Sequence, residues 1–150
     1  MGETVSALRR LEGSLAGLYS RLSVISRFTG TSRVIFQKIA MDSMEHEEVL
    51  KLLEDRLSRY EELIDENVVE LCNSVSEEAL RLSESVNSMS EKEILERLRS
   101  LERGEEIAYQ IYDKIMKEAT AQQDDVLRAL MRGIAEDERQ HDELLKLILR

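Results

Sequence analysis

Apolar side chains return along this chain at alternating steps of three and four, the spacing of one helix face. From Thr4 to about Phe28 the stripe is Leu8, Glu12, Leu15, Tyr19 and Leu22, which predicts a first helix. The stretch Thr29 to Ser32, "TGTS", combines Gly30 with good N-cap residues and predicts a turn. A second helix then runs to about Asp65 on Ile35, Ile39, Asp42 or Ser43, His46, Leu50, Leu53 and Leu57. The pattern weakens from Glu66 to Met89, a serine-rich and partly amphipathic segment too long for a hairpin turn, and reads as a crossover with helical content. "SEKE", Ser90 to Glu93, is a capping box that opens a third helix on Ile94, Leu98, Leu101, Glu105, Ala108, Tyr112 and Ile115. After a turn at Thr120 to Asp125, a fourth helix carries Leu127, Met131, Ile134, Glu138, His141, Leu145 and Ile148.

Two helical hairpins joined by one long crossover predict an all-α four-helix bundle with ferritin-like connectivity. Residues 1–150 are expected to form a single domain, since 150 residues support one core and are too few for two ordinary ones. The absence of proline fits long helices. A net charge of -10 disfavours nucleic acid and anionic membrane surfaces as partners. The lone Cys72 excludes an internal disulfide and any cysteine-built metal module, and there is neither a signal-peptide core nor an apolar run near membrane-spanning length, so a cytoplasmic location is expected.

Each stripe is interrupted near its middle by ionisable residues: Glu12, then Asp42 or Ser43 with His46, then Glu105, then Glu138 with His141. The halves repeat, with Glu12 preceding His46 by 34 residues and Glu105 preceding His141 by 36. Antiparallel packing can bring these interruptions to one level. Several carboxylates in an apolar core repel one another and cost several kcal/mol each, so protons or cations must compensate them. Glu138-x-x-His141 places an oxygen and a nitrogen donor one turn apart on one helix face, and mixed carboxylate and imidazole donors suit iron or manganese.

On these residues the chain resembles the ferritin-like superfamily, and within it the rubrerythrin-type di-iron carboxylate proteins. That family carries Glu-x-x-Ala, with Tyr seven residues after the Glu, on helices 1 and 3, and Glu-x-x-His on helices 2 and 4. "EEIAYQIY" matches the first pattern with Glu105, Ala108 and Tyr112; "EGSLAGLY" matches it with Glu12 and Tyr19, with Leu15 in the alanine place. Glu138 and His141 match the second pattern fully, whereas "MDSMEHEE" places Ser43 three residues before His46, so five of six family donors are present. Asp42, about 40° from His46 around the helix against about 60° for Ser43, is a candidate replacement.

The resemblance implies iron as cofactor, either two ions or one iron with a weaker or different second ion, and manganese as the alternative. Metal ligands would be Glu12, His46, Glu105, Glu138 and His141, with Glu12 and Glu105 bridging or chelating and the others capping. Tyr19 and Tyr112 would hydrogen-bond a carboxylate ligand or supply an electron. The implied function is a non-haem oxidoreductase, a peroxidase or ferroxidase reacting with peroxide or dioxygen. Its electrons would come from an external donor, because no rubredoxin cysteines are present, and a homodimer is the family habit. Iron storage, or a helical interaction protein with a decayed site, are the alternatives.

Overall fold

The computed structural model describes residues 3–149, which are all-helical, without a strand. Six α-helices follow one another: α1 (Glu3–Ser23), α2 (Gly30–Leu52), α3 (Glu54–Leu57), α4 (Glu66–Ser85), α5 (Glu91–Ala121) and α6 (Asp125–Ile148), with 3-10 turns at Ser58–Leu63 and Val86–Ser88. Six helices rather than four is the first departure from the sequence pattern.

The second predicted helix breaks at Leu53, where the backbone leaves the helical region at φ -100° and ψ 11°. A straight continuation would carry Leu57 and Tyr60 past the start of α1, with nothing to pack against. The chain instead folds over that end, burying Leu57, Tyr60 and Ile64, and Glu61 accepts a hydrogen bond from the Val5 amide at 3.4 Å. Burial of apolar area outweighs helix continuity here. The first helix likewise stops at Ser23 rather than near Phe28, and Phe28 returns to pack edge-on against Phe36 at 5.1 Å. Thr29 then caps α2 through the Ser32 amide.

The expected crossover is a regular helix. Asp65 caps α4 through the Asn67 amide, and Cys72, Val75, Ser76, Ala79 and Leu82 are buried on one face. That face packs on α1 and α5, and the α5 contact depends on Gly104, where a Cβ would stand 2.7 Å from Val75 Cγ1. The capping box at Ser90 and Glu93 forms as predicted. α1 packs on α2, α5 on α6, and α2 also touches α6, so the two hairpins face each other with α4 laid along the α1 and α5 side. One contiguous apolar core joins all of them. No described helix is long and apolar enough to cross a membrane.

Candidate metal centre

The stripe interruptions converge. Glu12 on α1, His46 on α2, Glu105 on α5 and Glu138 and His141 on α6 are each no more than 1% exposed. They form two triads, Glu12/His46/Glu138 and Glu105/Glu138/His141, in each of which one donor atom per residue lies within 4.8 Å of the others. The imidazole rings stack at 6.1 Å between centroids with 27° between planes. Both rings turn Nδ1 inward, His46 to Glu12 Oε2 at 3.1 Å and His141 to Glu105 Oε2 at 3.4 Å.

Glu138 belongs to both triads, its oxygens 3.1 Å from His46 Nδ1 and 3.9 Å from His141 Nδ1. The central carboxylate is therefore Glu138, whereas the sequence reading gave it a capping place; Glu12 and Glu105 each belong to one triad.

Outside the cluster, each histidine is held by an aspartate from the opposite hairpin. Nε2 of His46 lies 2.8 Å from Asp137 Oδ2, and Nε2 of His141 lies 2.9 Å from Asp42 Oδ2. Asp42, the candidate sixth donor, is thus engaged on the far nitrogen of His141 and is absent from both triads; Lys38 also holds it at 3.0 Å. An Nε2–H that donates to aspartate leaves, in the neutral ring, the Nδ1 lone pair facing inward, and such bonds fix the ring orientation of metal-binding histidines. Asp137 escaped the sequence reading. The signal was available in the repeated Asp-x-x-x-His of Asp42/His46 and Asp137/His141.

Tyr112 donates to Glu12 Oε2 at 2.7 Å, as a ligand-orienting tyrosine would. Tyr19 is buried on α1, and burial followed by the charge of Glu105 pushes its hydroxyl well above its usual range. Burial and then the Glu12 charge do the same to Tyr112.

The charges show the cost of gathering these groups. Burial, then repulsion from Glu12 and Glu105, pushes the Glu138 carboxyl well above its ordinary range. Burial also acts to raise Glu105, but the neighbouring Glu138 carboxyl and His141 imidazole outweigh it and hold Glu105 low. Burial would lower His46, yet the bonds and charges of Glu12 and then Asp137 carry it up to about 9. His141 is raised against burial by Glu105 and Asp42 in the same way. At His46, His141 and Glu138 the gathered charge thus favours the protonated forms, a compensation by protons.

That compensation is incomplete. Glu12 Oε1, Glu105 Oε1, both oxygens of Glu138 and Ser43 Oγ are buried without a hydrogen-bond partner. The His46 to Glu138 approach is short but lacks hydrogen-bond alignment. Buried acceptors left unpaired are uncommon and costly, and inward carboxylate oxygens beside inward imidazole nitrogens are donors that a metal ion could use. Each triad could hold a metal ion. No family model, no curated protein and no solved structure matches the chain, so the geometry of the cluster carries the functional reading.

Proposed function

We propose that the two triads form a dinuclear non-haem metal centre in a ferritin-like helical frame, that iron is its metal, and that the protein is a rubrerythrin-type oxidoreductase acting on peroxide or dioxygen. The observation that carries this reading is the sharing of Glu138 between two carboxylate and imidazole triads whose remaining oxygens have no other partner. Iron would supply one-electron chemistry toward the oxidant when bound.

The residues divide that work. Glu12 and His46 would hold one ion, Glu105 and His141 the other, and Glu138 would span both. Asp137 and Asp42 accept hydrogen bonds from the outer Nε2–H groups and keep the rings aimed inward. Tyr112 fixes Glu12 by one oxygen and leaves the second free to turn inward. Leu8, Leu15, Leu98, Ile115, Met131 and Leu145, buried on the same helix stripes, would limit the access of bulk water. Electrons would come from a separate donor. One rival reading is iron storage; the other, a helical interaction protein whose site has decayed, draws on Ser43 in the place of a carboxylate.

Metal analysis of protein purified without chelator, with anomalous scattering at the iron and manganese edges, tests the proposal. Two ions flanking Glu138 are expected. Ferrous iron or manganese should also raise the melting temperature of metal-free protein, in proportion to about 2.7 kcal/mol at a hundredfold excess over Kd. An unchanged melting curve across the titration, with no ion between the helices, would favour the decayed scaffold.

A further inference from the structure

Every donor of the two triads is no more than 1% exposed, so an ion reaches them only through an opening between helices. The internal repeat lets the two hairpins be compared place by place. Counting from Glu12 and Glu105, Arg9 corresponds to Glu102 and Gly13 to Glu106; counting from His46 and His141, Glu47 corresponds to Asp142. A cavity lies at this place in each hairpin, and the two differ.

Between α1 and α2 the cavity measures about 250 Å³, is lined by Ser6, Arg9, Arg10 and Glu47, and touches no triad residue. The Glu47 carboxylate lies over Gly13, where a Cβ would meet it at 2.3 Å. Two guanidinium groups against one carboxylate disfavour the approach of a cation.

Between α5 and α6 the cavity measures about 460 Å³ and is lined by five acids, Glu102, Glu105, Glu106, Glu138 and Asp142. Glu106 is exposed and Glu102 half-buried, whereas Glu105 and Glu138 are buried triad residues, so carboxylates stand at both the mouth and the floor. At the floor, Glu105 Oε1 and both oxygens of Glu138 have no hydrogen-bond partner. Four bases also line the cavity, and each is engaged. Arg99 donates to the Leu149 carbonyl at 3.1 Å, and Arg103 approaches Glu78 of α4 at 3.9 Å. Arg139 donates to the Tyr109 hydroxyl at 2.8 Å and lies over that ring, and Lys146 pairs with Asp142 at 2.8 Å. Glu102 and Glu106, one helical turn apart on α5, belong to no ion pair among the described residues.

We infer that divalent cations enter the centre between α5 and α6, where Glu102 and Glu106 receive the incoming ion and pass it to the unpaired oxygens of Glu105 and Glu138. Glu138, which belongs to both triads, then hands ions on toward His46. The α1 and α2 face, with Arg9 and Gly13 in the corresponding places, is not an entrance. The inference rests on the dinuclear reading above.

The test is stopped-flow binding of cobalt(II), a divalent ion that carboxylate and imidazole donors accept, to metal-free protein. Visible absorbance follows the rate, and metal analysis gives the stoichiometry at the end point. Glu102→Gln combined with Glu106→Gln should slow binding by roughly tenfold or more, while two ions still bind at the end. Added salt should slow the wild-type protein and affect the double variant far less, because screening weakens an attraction only where the charges remain. Glu47→Gln, which removes the carboxylate of the α1 and α2 cavity, should bind at the wild-type rate. A double variant that loads as fast as wild type, or a Glu47→Gln variant slowed as much as the double one, would overturn the entrance and leave the dinuclear centre standing. No ion bound by any form of the protein would remove both.

Discussion

The hairpin of α1 and α2 and the hairpin of α5 and α6 offer the centre unequal donor sets. The first brings Glu12, Ser43 and His46, and the second Glu105, Glu138 and His141. The second hairpin therefore supplies two of the three buried carboxylates, and one of these, Glu138, serves both triads. The outer shell runs the other way across the molecule, since Asp137 of the second hairpin holds His46 of the first, and Asp42 of the first holds His141 of the second. Neither hairpin contains a complete centre. The difference teaches that the repeated halves are bound to each other through the site, and that an altered residue in one half acts on the histidine of the other.

The sharpest way to break this comparison is to remove the shared carboxylate. Glu138→Ala should abolish binding of both ions, by roughly a hundredfold or more at each, whereas Glu12→Ala should weaken chiefly the ion at His46 and Glu105→Ala the ion at His141. Metal stoichiometry by equilibrium dialysis reads the outcome. One ion retained at wild-type affinity in Glu138→Ala would show that the triads do not depend on a common residue.

Crossed effects from the aspartates come next. Asp137→Asn should weaken the ion at His46, and Asp42→Asn the ion at His141, each by roughly 10- to 100-fold. Anomalous occupancies refined separately for the two positions distinguish this pattern from the uncrossed one. Lys38 already shares Asp42, while the equivalent place four residues before Asp137 is Gly133, so Asp137→Asn should have the larger effect of the two.

A pH titration sharpens the comparison further. In metal-free protein the folded state holds protons on His46, His141 and Glu138 more tightly than the unfolded chain does. The His46 contribution is fully present below about pH 6.5, its unfolded value, and is lost as pH rises through about 9. Glu138 acts with the same sign, whereas the lowered Asp42 stabilises the fold throughout this interval and loses its contribution only toward acid pH, as it protonates. Melting temperature of chelated protein should therefore fall between about pH 6.5 and 9, and ions bound at the centre should flatten that slope. A metal-free protein that grows more stable across this interval would contradict the proton-balanced cluster.

The smallest effect is expected at Gly13→Ala. The added Cβ meets only the carboxylate end of Glu47, a flexible group that can swing aside, and alanine gains helix propensity over glycine of about 1 kcal/mol. Thermal stability should change by less than about 1 kcal/mol, measured by denaturant titration.

The alternation of three and four placed Glu12, Glu105, Glu138 and both histidines on core-facing stripes, and all five are buried together as that periodicity required. The capping box at Ser90 and the turns at Thr29 and Asp124 were equally local, because side-chain caps act within three residues of themselves. What the stripe could not specify was direction beyond a single face. Asp42 and Ser43 flank the line to His46 on either side, and only the approach of α6 sent Asp42 to His141 and left Ser43 facing inward unpartnered. Asp137 was hidden for the same reason, since its partner lies 91 residues away on another helix. The break at Leu53 and the regular helix of α4 were also decided at long range, where burial against α1 and α5 prevailed over weak local preference. Sequence periodicity thus determined which residues enter the core, because a helix face is a local property. The order in which Glu138 joins two triads and each aspartate crosses to the other hairpin was set by packing between segments, and only the tertiary structure decided it.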